Sequence, residues 1–167
     1  AYSKTENGIA VNLYGGNKLE TTLLDGSAIK LSQKSNYPWD GAVEITIEES
    51  KSEPFEMLLR IPAWAKGSTL NVNGQAVENV VAGRFAKIER NWKSGDAISL
   101  NMPMEAKFIE GHPRIEELRN QVAVKRGPVV YALESPDLPE GTDITDAYIS
   151  SSKDLNAVHK PDELGGV

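Results

Sequence analysis

Val43-Glu44-Ile45-Thr46-Ile47-Glu48 alternates a β-branched apolar residue with a polar one along its whole length. Successive side chains of an extended chain point to opposite faces, so Val43, Ile45 and Ile47 face inward while Glu44, Thr46 and Glu48 face water. Related runs lie on both sides. Upstream, Ile9-Ala10-Val11-Asn12-Leu13-Tyr14 ends at Gly15-Gly16, and Lys18 to Leu24 ends at Asp25-Gly26. Ala28 to Ser32 sets Ile29 and Leu31 against Ala28 and Lys30. Asn36-Tyr37-Pro38-Trp39-Asp40-Gly41 then makes a turn, because Pro38 holds Tyr37 extended and Asp-Gly favours a tight reversal. Downstream, Phe55 to Ile61 is more uniformly apolar, which predicts a central strand stopped by Pro62. Thr69-Leu70-Asn71-Val72 and the residues after Asn73-Gly74 predict a hairpin. Arg84 to Glu89 is the next strand, anchored by Phe85 and Ile88, and Ala97 to Met102 follows, stopped by Pro103. Lys107-Phe108-Ile109 is read as its continuation on the neighbouring sheet.

Short strands closed by Gly, Pro, Asn or Asp predict an all-β protein, an antiparallel β-sandwich of jelly-roll-like kind. Residues 1–110 are read as the sandwich domain. Residues 111–167 are read as a short helix, two strands and a loop-rich tail, the start of a second β-domain cut off at the end. The one short helix is expected within Pro113 to Asn120, and the two strands, Gln121 to Lys125 and Val129 to Leu133, flank Gly127-Pro128. From Ser135 onward Pro, Asp, Ser and Gly dominate, with Asp143 to Ile149 as a weak strand and Leu164-Gly165-Gly166-Val167 as the entry to another.

The 167 residues can bury a core, since a chain of this size hides roughly two-thirds of its unfolded surface. With 40% hydrophobic and 25% charged residues the composition is that of a folded domain. A net charge of −6 without a basic stripe argues against nucleic acid and anionic membranes as partners. There is no cysteine, hence no disulfide, thiolate nucleophile or Cys-ligated metal within the chain. No apolar run approaches the roughly 20 residues of a membrane span. The polar start Ala1-Tyr2-Ser3-Lys4 lacks both a signal peptide and Met, which predicts a chain that begins mid-protein.

The pattern yields no catalytic residue and no metal site. His112 and His159, the two histidines, lie in separate segments and read as loop residues. No serine stands in a G-x-S-x-G elbow, and no phosphate-binding glycine pattern occurs; Asn7-Gly8 and Gly15-Gly16 read as turns. Glu48 and Glu49, adjacent on a strand, point to opposite faces and so cannot flank one sugar, and Glu116-Glu117 read as an exposed turn. Tyr37, Trp39 and Trp64 are the candidate carbohydrate-binding residues, because sugar rings offer apolar C–H faces to aromatic rings. The alternative is packing: Trp64 at a strand exit, Trp92 as a lid over the sandwich edge, Trp39 the most exposed of the three.

Val11-Asn12-Leu13-Tyr14, Asn36-Tyr37-Pro38-Trp39-Asp40-Gly41, Leu59-Arg60-Ile61-Pro62-Ala63-Trp64-Ala65, Val72-Asn73-Gly74 and Arg126-Gly127-Pro128-Val129-Val130-Tyr131 occur in this order. Together they resemble the C-terminal β-sandwich region of glycoside hydrolase family 127, the bacterial β-L-arabinofuranosidase-like family, from about Ala1 to Glu134 and onward. The resemblance implies a catalytic (α/α)6 barrel elsewhere in the parent polypeptide, with a cysteine nucleophile among zinc-bound cysteines and a glutamate acid/base. No catalytic residue carries over to this chain, and no cofactor is expected in it; zinc belongs to the missing catalytic domain. The expected function is a non-catalytic accessory module supporting that barrel, its partner. The alternative is a carbohydrate-binding module on Tyr37, Trp39 and Trp64, with an independent hydrolase using scattered carboxylates as a remoter reading. Polysaccharide-degrading relatives are often periplasmic or extracellular, which slightly favours that location, while others act in the cytoplasm on imported oligosaccharides.

Overall fold

The computed structural model describes residues 1–50, 53–150, 153–160 and 162. The expected strand entry at Leu164-Gly165-Gly166-Val167 lies outside the described residues. The chain divides into two compact units, Ala1–Met104 and Glu105–Val167.

The strands of the first unit are β1 (Tyr2–Thr5), β2 (Gly8–Val11), β3 (Asn17–Thr22), β4 (Ala28–Ser35), β5 (Ala42–Glu49), β6 (Phe55–Arg60), β7 (Thr69–Val72), β8 (Gln75–Ala76), β9 (Phe85–Arg90) and β10 (Ala97–Asn101). They form a four-stranded sheet ordered β1-β2-β6-β9 and a six-stranded sheet ordered β3-β4-β5-β10-β7-β8. Ile9, Val11, Phe55, Met57, Leu59 and Ile88 of the first sheet share one core cluster with Ile29, Leu31, Val43, Ile45, Ile47 and Ile98 of the second. This is the two-layer packing of a sandwich, in which burying each such side chain contributes about 1.5–3 kcal/mol. Val43, Ile45 and Ile47 are buried while Glu44 is exposed and Thr46 half-buried, as the alternation requires. Phe55–Arg60 is central in its sheet, between β2 and β9.

Several elements differ from expectation. β1 replaces an unassigned polar start and pairs with β2 through a tight reversal at Glu6-Asn7. Gly8 is not a turn glycine: it lies in β2, where a Cβ would stand 1.9 Å from the Glu56 carbonyl oxygen. That close approach belongs to the β2–β6 pair, which is parallel, the exception among the strand pairs of the described residues. Phe85 is not an anchor. It is 46% exposed, because period two sets it opposite Ile88, and Ala86 takes the inward position instead. A bulge where Lys30 pairs with Glu49 and Leu31 with Ile47 breaks the alternation at the end of β5. Both carboxylates therefore reach the outer face, Glu48 to Lys18 at 3.7 Å and Glu49 to Lys30 at 3.1 Å.

The second unit contains β11 (Ala106–Glu110), β12 (Val122–Arg126) and β13 (Val129–Tyr131) in one antiparallel sheet. β11 thus belongs with β12 and does not extend the sheet of β10. Phe108, Val124 and Tyr131 are aligned across its three strands, with Val122 and Val129 on the same face. None of the described apolar side chains after Met102 is buried. The expected helix is a single 3-10 turn, Glu116–Leu118. The expected strand at Asp143 to Ile149 is instead a 3-10 turn, Ile144–Asp146, because the Asp143 side chain accepts from the Thr145 N–H and caps it.

Candidate functional site

Tyr37, Trp39 and Trp64 lie at the end of the first sandwich where β6 closes at Arg60. β2 and β6 run parallel, so the chain leaving Val11 emerges beside Arg60 at the end of β6. There the Arg60 Nε donates to the Asn12 carbonyl at 2.7 Å, and the Tyr14 hydroxyl donates to the Arg60 carbonyl at 2.7 Å. Tyr14 meets Tyr37 edge to face, with ring centroids 6.3 Å apart. Burial pushes the Tyr14 hydroxyl far above the ordinary tyrosine value, opposed by the Arg60 charge and reinforced by Tyr37, so it acts as a donor and not as an acid at neutral pH. Burial likewise raises Tyr37, with Arg60 opposing.

The turn carrying Tyr37 and Trp39 is pinned at both ends. Ser35 Oγ accepts from the Tyr37 N–H at 3.0 Å and donates to the Ala42 carbonyl at 2.7 Å. Asp40 accepts from the Ala42 N–H at 3.0 Å, and the Trp39 N–H bonds the Asn36 carbonyl at 2.8 Å. The Tyr37-Pro38 peptide is cis. Of the three candidates, Trp39 is exposed, whereas Tyr37 and Trp64 are half-buried and packed against the core. Trp64 makes no ring contact among the described residues. Trp92 packs, as the alternative reading expected: it is buried in the core cluster, its Nε1 donates to the Phe55 carbonyl at 3.1 Å, and Arg90 lies over its ring at 5.4 Å.

The outer face of the six-stranded sheet carries an open polar groove of about 490 Å³, lined by Lys18, Ser32, Lys34, Thr46 and Glu48 among others. Its ion pair between Lys18 and Glu48 is solvent-exposed and contributes little. His112 accepts from the Arg114 N–H at 3.2 Å on an exposed turn, and Glu116 pairs with Arg119 at 3.2 Å. Among the described residues no three or more His, Cys, Asp or Glu gather as metal ligands, so the donor set here does not fit a cysteine-bound zinc. No helix of the described residues is long and apolar enough to cross a membrane.

Sequence reasoning missed Leu13, Tyr14, Arg60 and Phe85 as members of this end. The one local signal was Arg60 itself, a charge between Leu59 and Ile61 in an apolar strand.

Fold and surface together define an all-β module, a sandwich joined to a second β unit and organised around packing. The pattern described as "Beta-L-arabinofuranosidase, GH127 middle domain" matches residues 8–104, and "Glycoside hydrolase family 127 C-terminal domain" matches residues 106–161. The chain belongs to glycoside hydrolase family 127. It is 34% identical over 154 residues to a non-reducing end β-L-arabinofuranosidase of Bifidobacterium longum, covering 84% of this chain and 22% of that protein. A solved family 127 β-L-arabinofuranosidase from Geobacillus stearothermophilus T6 superposes with a TM-score of 0.89 at 36% identity, over 99% of this chain and 26% of the other. A solved glycoside hydrolase at 44% identity gives 0.81, over 86% and 24%. The chain therefore spans about a quarter of the length of these relatives.

Proposed function

We propose that this chain is the non-catalytic accessory region of a β-L-arabinofuranosidase, a β-sandwich module that supports a catalytic (α/α)6 barrel in the same polypeptide. The carrying observation is its match to the middle and C-terminal domains of family 127 across only about a quarter of the relatives' length. Two features support it. The chain contains no cysteine, whereas the family's nucleophile and zinc ligands are cysteines. The carboxylates Glu48 and Glu49 are each engaged by a lysine on the outer sheet face, and the groove beside Glu48 is open to solvent. Zinc and the cysteine chemistry belong, in this reading, to the barrel.

The test is hydrolysis of an aryl β-L-arabinofuranoside by the folded 167-residue chain and by the full-length gene product. The full-length product is expected to turn the substrate over and the chain alone to be inert. Turnover by the chain, or an inactive full-length product, overturns the proposal.

A further inference from the structure

The first unit exposes its large apolar side chains unevenly. Among its described residues five are exposed: Leu13 at 57%, Leu24 at 66%, Trp39 at 46%, Val81 at 49% and Phe85 at 46%. Leu24 sits at the β3–β4 reversal, at the opposite end of β4 from the turn that carries Trp39. The other four come together. Leu13 follows β2 beside Arg60, and Arg60 pairs with Phe85 across β6 and β9. The Ile61 N–H bonds the Arg84 carbonyl and the Gly83 N–H bonds the Ile61 carbonyl, which lays the Val81–Phe85 loop alongside. The Tyr14–Tyr37 contact brings in the Trp39 turn. Half-buried Tyr37, Trp64 and Arg60 lie within the same end, and Lys66 and Arg84 are exposed there.

We propose that this end is the face on which the catalytic part of the same polypeptide docks, a partner surface of apolar side chains interspersed with carboxylates. The inference rests on the accessory-module reading above. Three observations name the occupant. Aromatic residues and arginine on one patch are the composition of protein–protein interface cores, which single scattered apolar side chains are not. Arg60, Lys66 and Arg84 outnumber Asp40, the carboxylate of the Trp39 turn, so this end is cationic on a chain whose net charge is −6, and this complements an acidic partner. In the relatives about three quarters of the polypeptide lies outside the matched region, so a large covalently tethered surface is at hand. Tethering raises its effective concentration to the millimolar range, so a modest patch suffices. A sugar platform would need several open ring faces, whereas Tyr37 and Trp64 are half-buried and packed against the core and only Trp39 of the three is exposed.

This chain has no cysteine, so an introduced thiol is its sole maleimide target; in the full-length product, whose barrel brings cysteines of its own, the peptide masses separate the introduced thiol from them. Leu13→Cys, Trp39→Cys, Phe85→Cys and, as control, Leu24→Cys are labelled with a maleimide in the 167-residue chain and in the full-length gene product, and the sites are resolved by peptide mass mapping. In the chain all four are expected to label rapidly. In the full-length product the three patch positions should slow at least tenfold while Leu24→Cys stays within twofold. Equal labelling of patch and control in an active full-length product overturns the docking face and leaves the accessory reading standing; an inactive full-length product overturns both. Protection of the patch in the chain by arabinose-containing oligosaccharides, without slowing in the full-length product, overturns it in favour of sugar binding. Hydroxyl-radical footprinting of Leu13, Trp39, Phe85 and Leu24 in the unsubstituted proteins gives the same comparison should a variant misfold.

Discussion

Asp96, 8% exposed, joins two turns that are distant in the chain. Its carboxylate accepts from Asn73 Nδ2 at 2.8 Å and from the Lys93 N–H at 2.9 Å, with Arg90 at 3.8 Å. Asn73 in turn accepts from the Ala97 N–H at 2.8 Å, so the β7–β8 hairpin is tied to the start of β10. Burial alone raises the Asp96 pKa, but the hydrogen bonds from Asn73 and Lys93 and the charges of Arg90 and Lys93 outweigh it and hold the carboxyl below its ordinary 3.8. Because the folded value lies below the unfolded one, this stabilisation is complete above the unfolded pKa and is lost as pH falls through the folded value. Asp96→Asn is therefore expected to cost about 1–3 kcal/mol at pH 7, with the difference shrinking as the solution is acidified. Urea unfolding of both proteins at pH 7 and in acid measures it; equal stability at pH 7 would refute the role. Asn73-Gly74 was legible as a turn. Its bond to Asp96 was not, because nothing local records a contact between residues 23 positions apart.

Period two carried the strands, and it failed where backbone geometry departs from a regular pleat. In β5 it holds: Ile45 is fully buried and its neighbour Thr46 faces out. Ile45→Ala is expected to cost about 2–5 kcal/mol, as large-to-small substitutions in cores do. Thr46→Ala, one residue along, should change stability by less than about 0.5 kcal/mol. Denaturant midpoints of the two variants check the alternation, and a Thr46→Ala cost approaching that of Ile45→Ala would sink it. At the end of the same strand the bulge brings Glu48 and Glu49 to one face, an extra residue that no pattern of apolar positions marks. Around Asp143 a side-chain cap competes with the extended backbone and wins, although the residues alone suit a weak strand.

At the scale of the molecule the two units differ in what holds them. The core cluster lies within Ile9 to Met102, while the sheet of β11, β12 and β13 has an apolar face that buries none of its described side chains. Amide exchange should reflect this: β5, β6 and β10 are expected to be the most protected strands, with β11 to β13 lower by roughly a hundredfold or more, since protection follows buried apolar contacts. Hydrogen exchange read by mass spectrometry tests it, and comparable protection in both units would contradict it. The all-β class, the Asn-Gly hairpin, most strand positions and the want of cysteine chemistry could all be read from the residues, because periodicity, turn chemistry and composition are local properties. The family resemblance was carried by short segments of the same local kind. Pairing is not local. That β2 runs parallel to β6, that Gly8 is required by the Glu56 carbonyl, that Trp92 is interior and that Leu13, Trp39, Val81 and Phe85 share one end all depend on contacts between residues far apart in the chain. Such contacts exist only once distant strands have paired within each sheet and the two sheets have closed on each other.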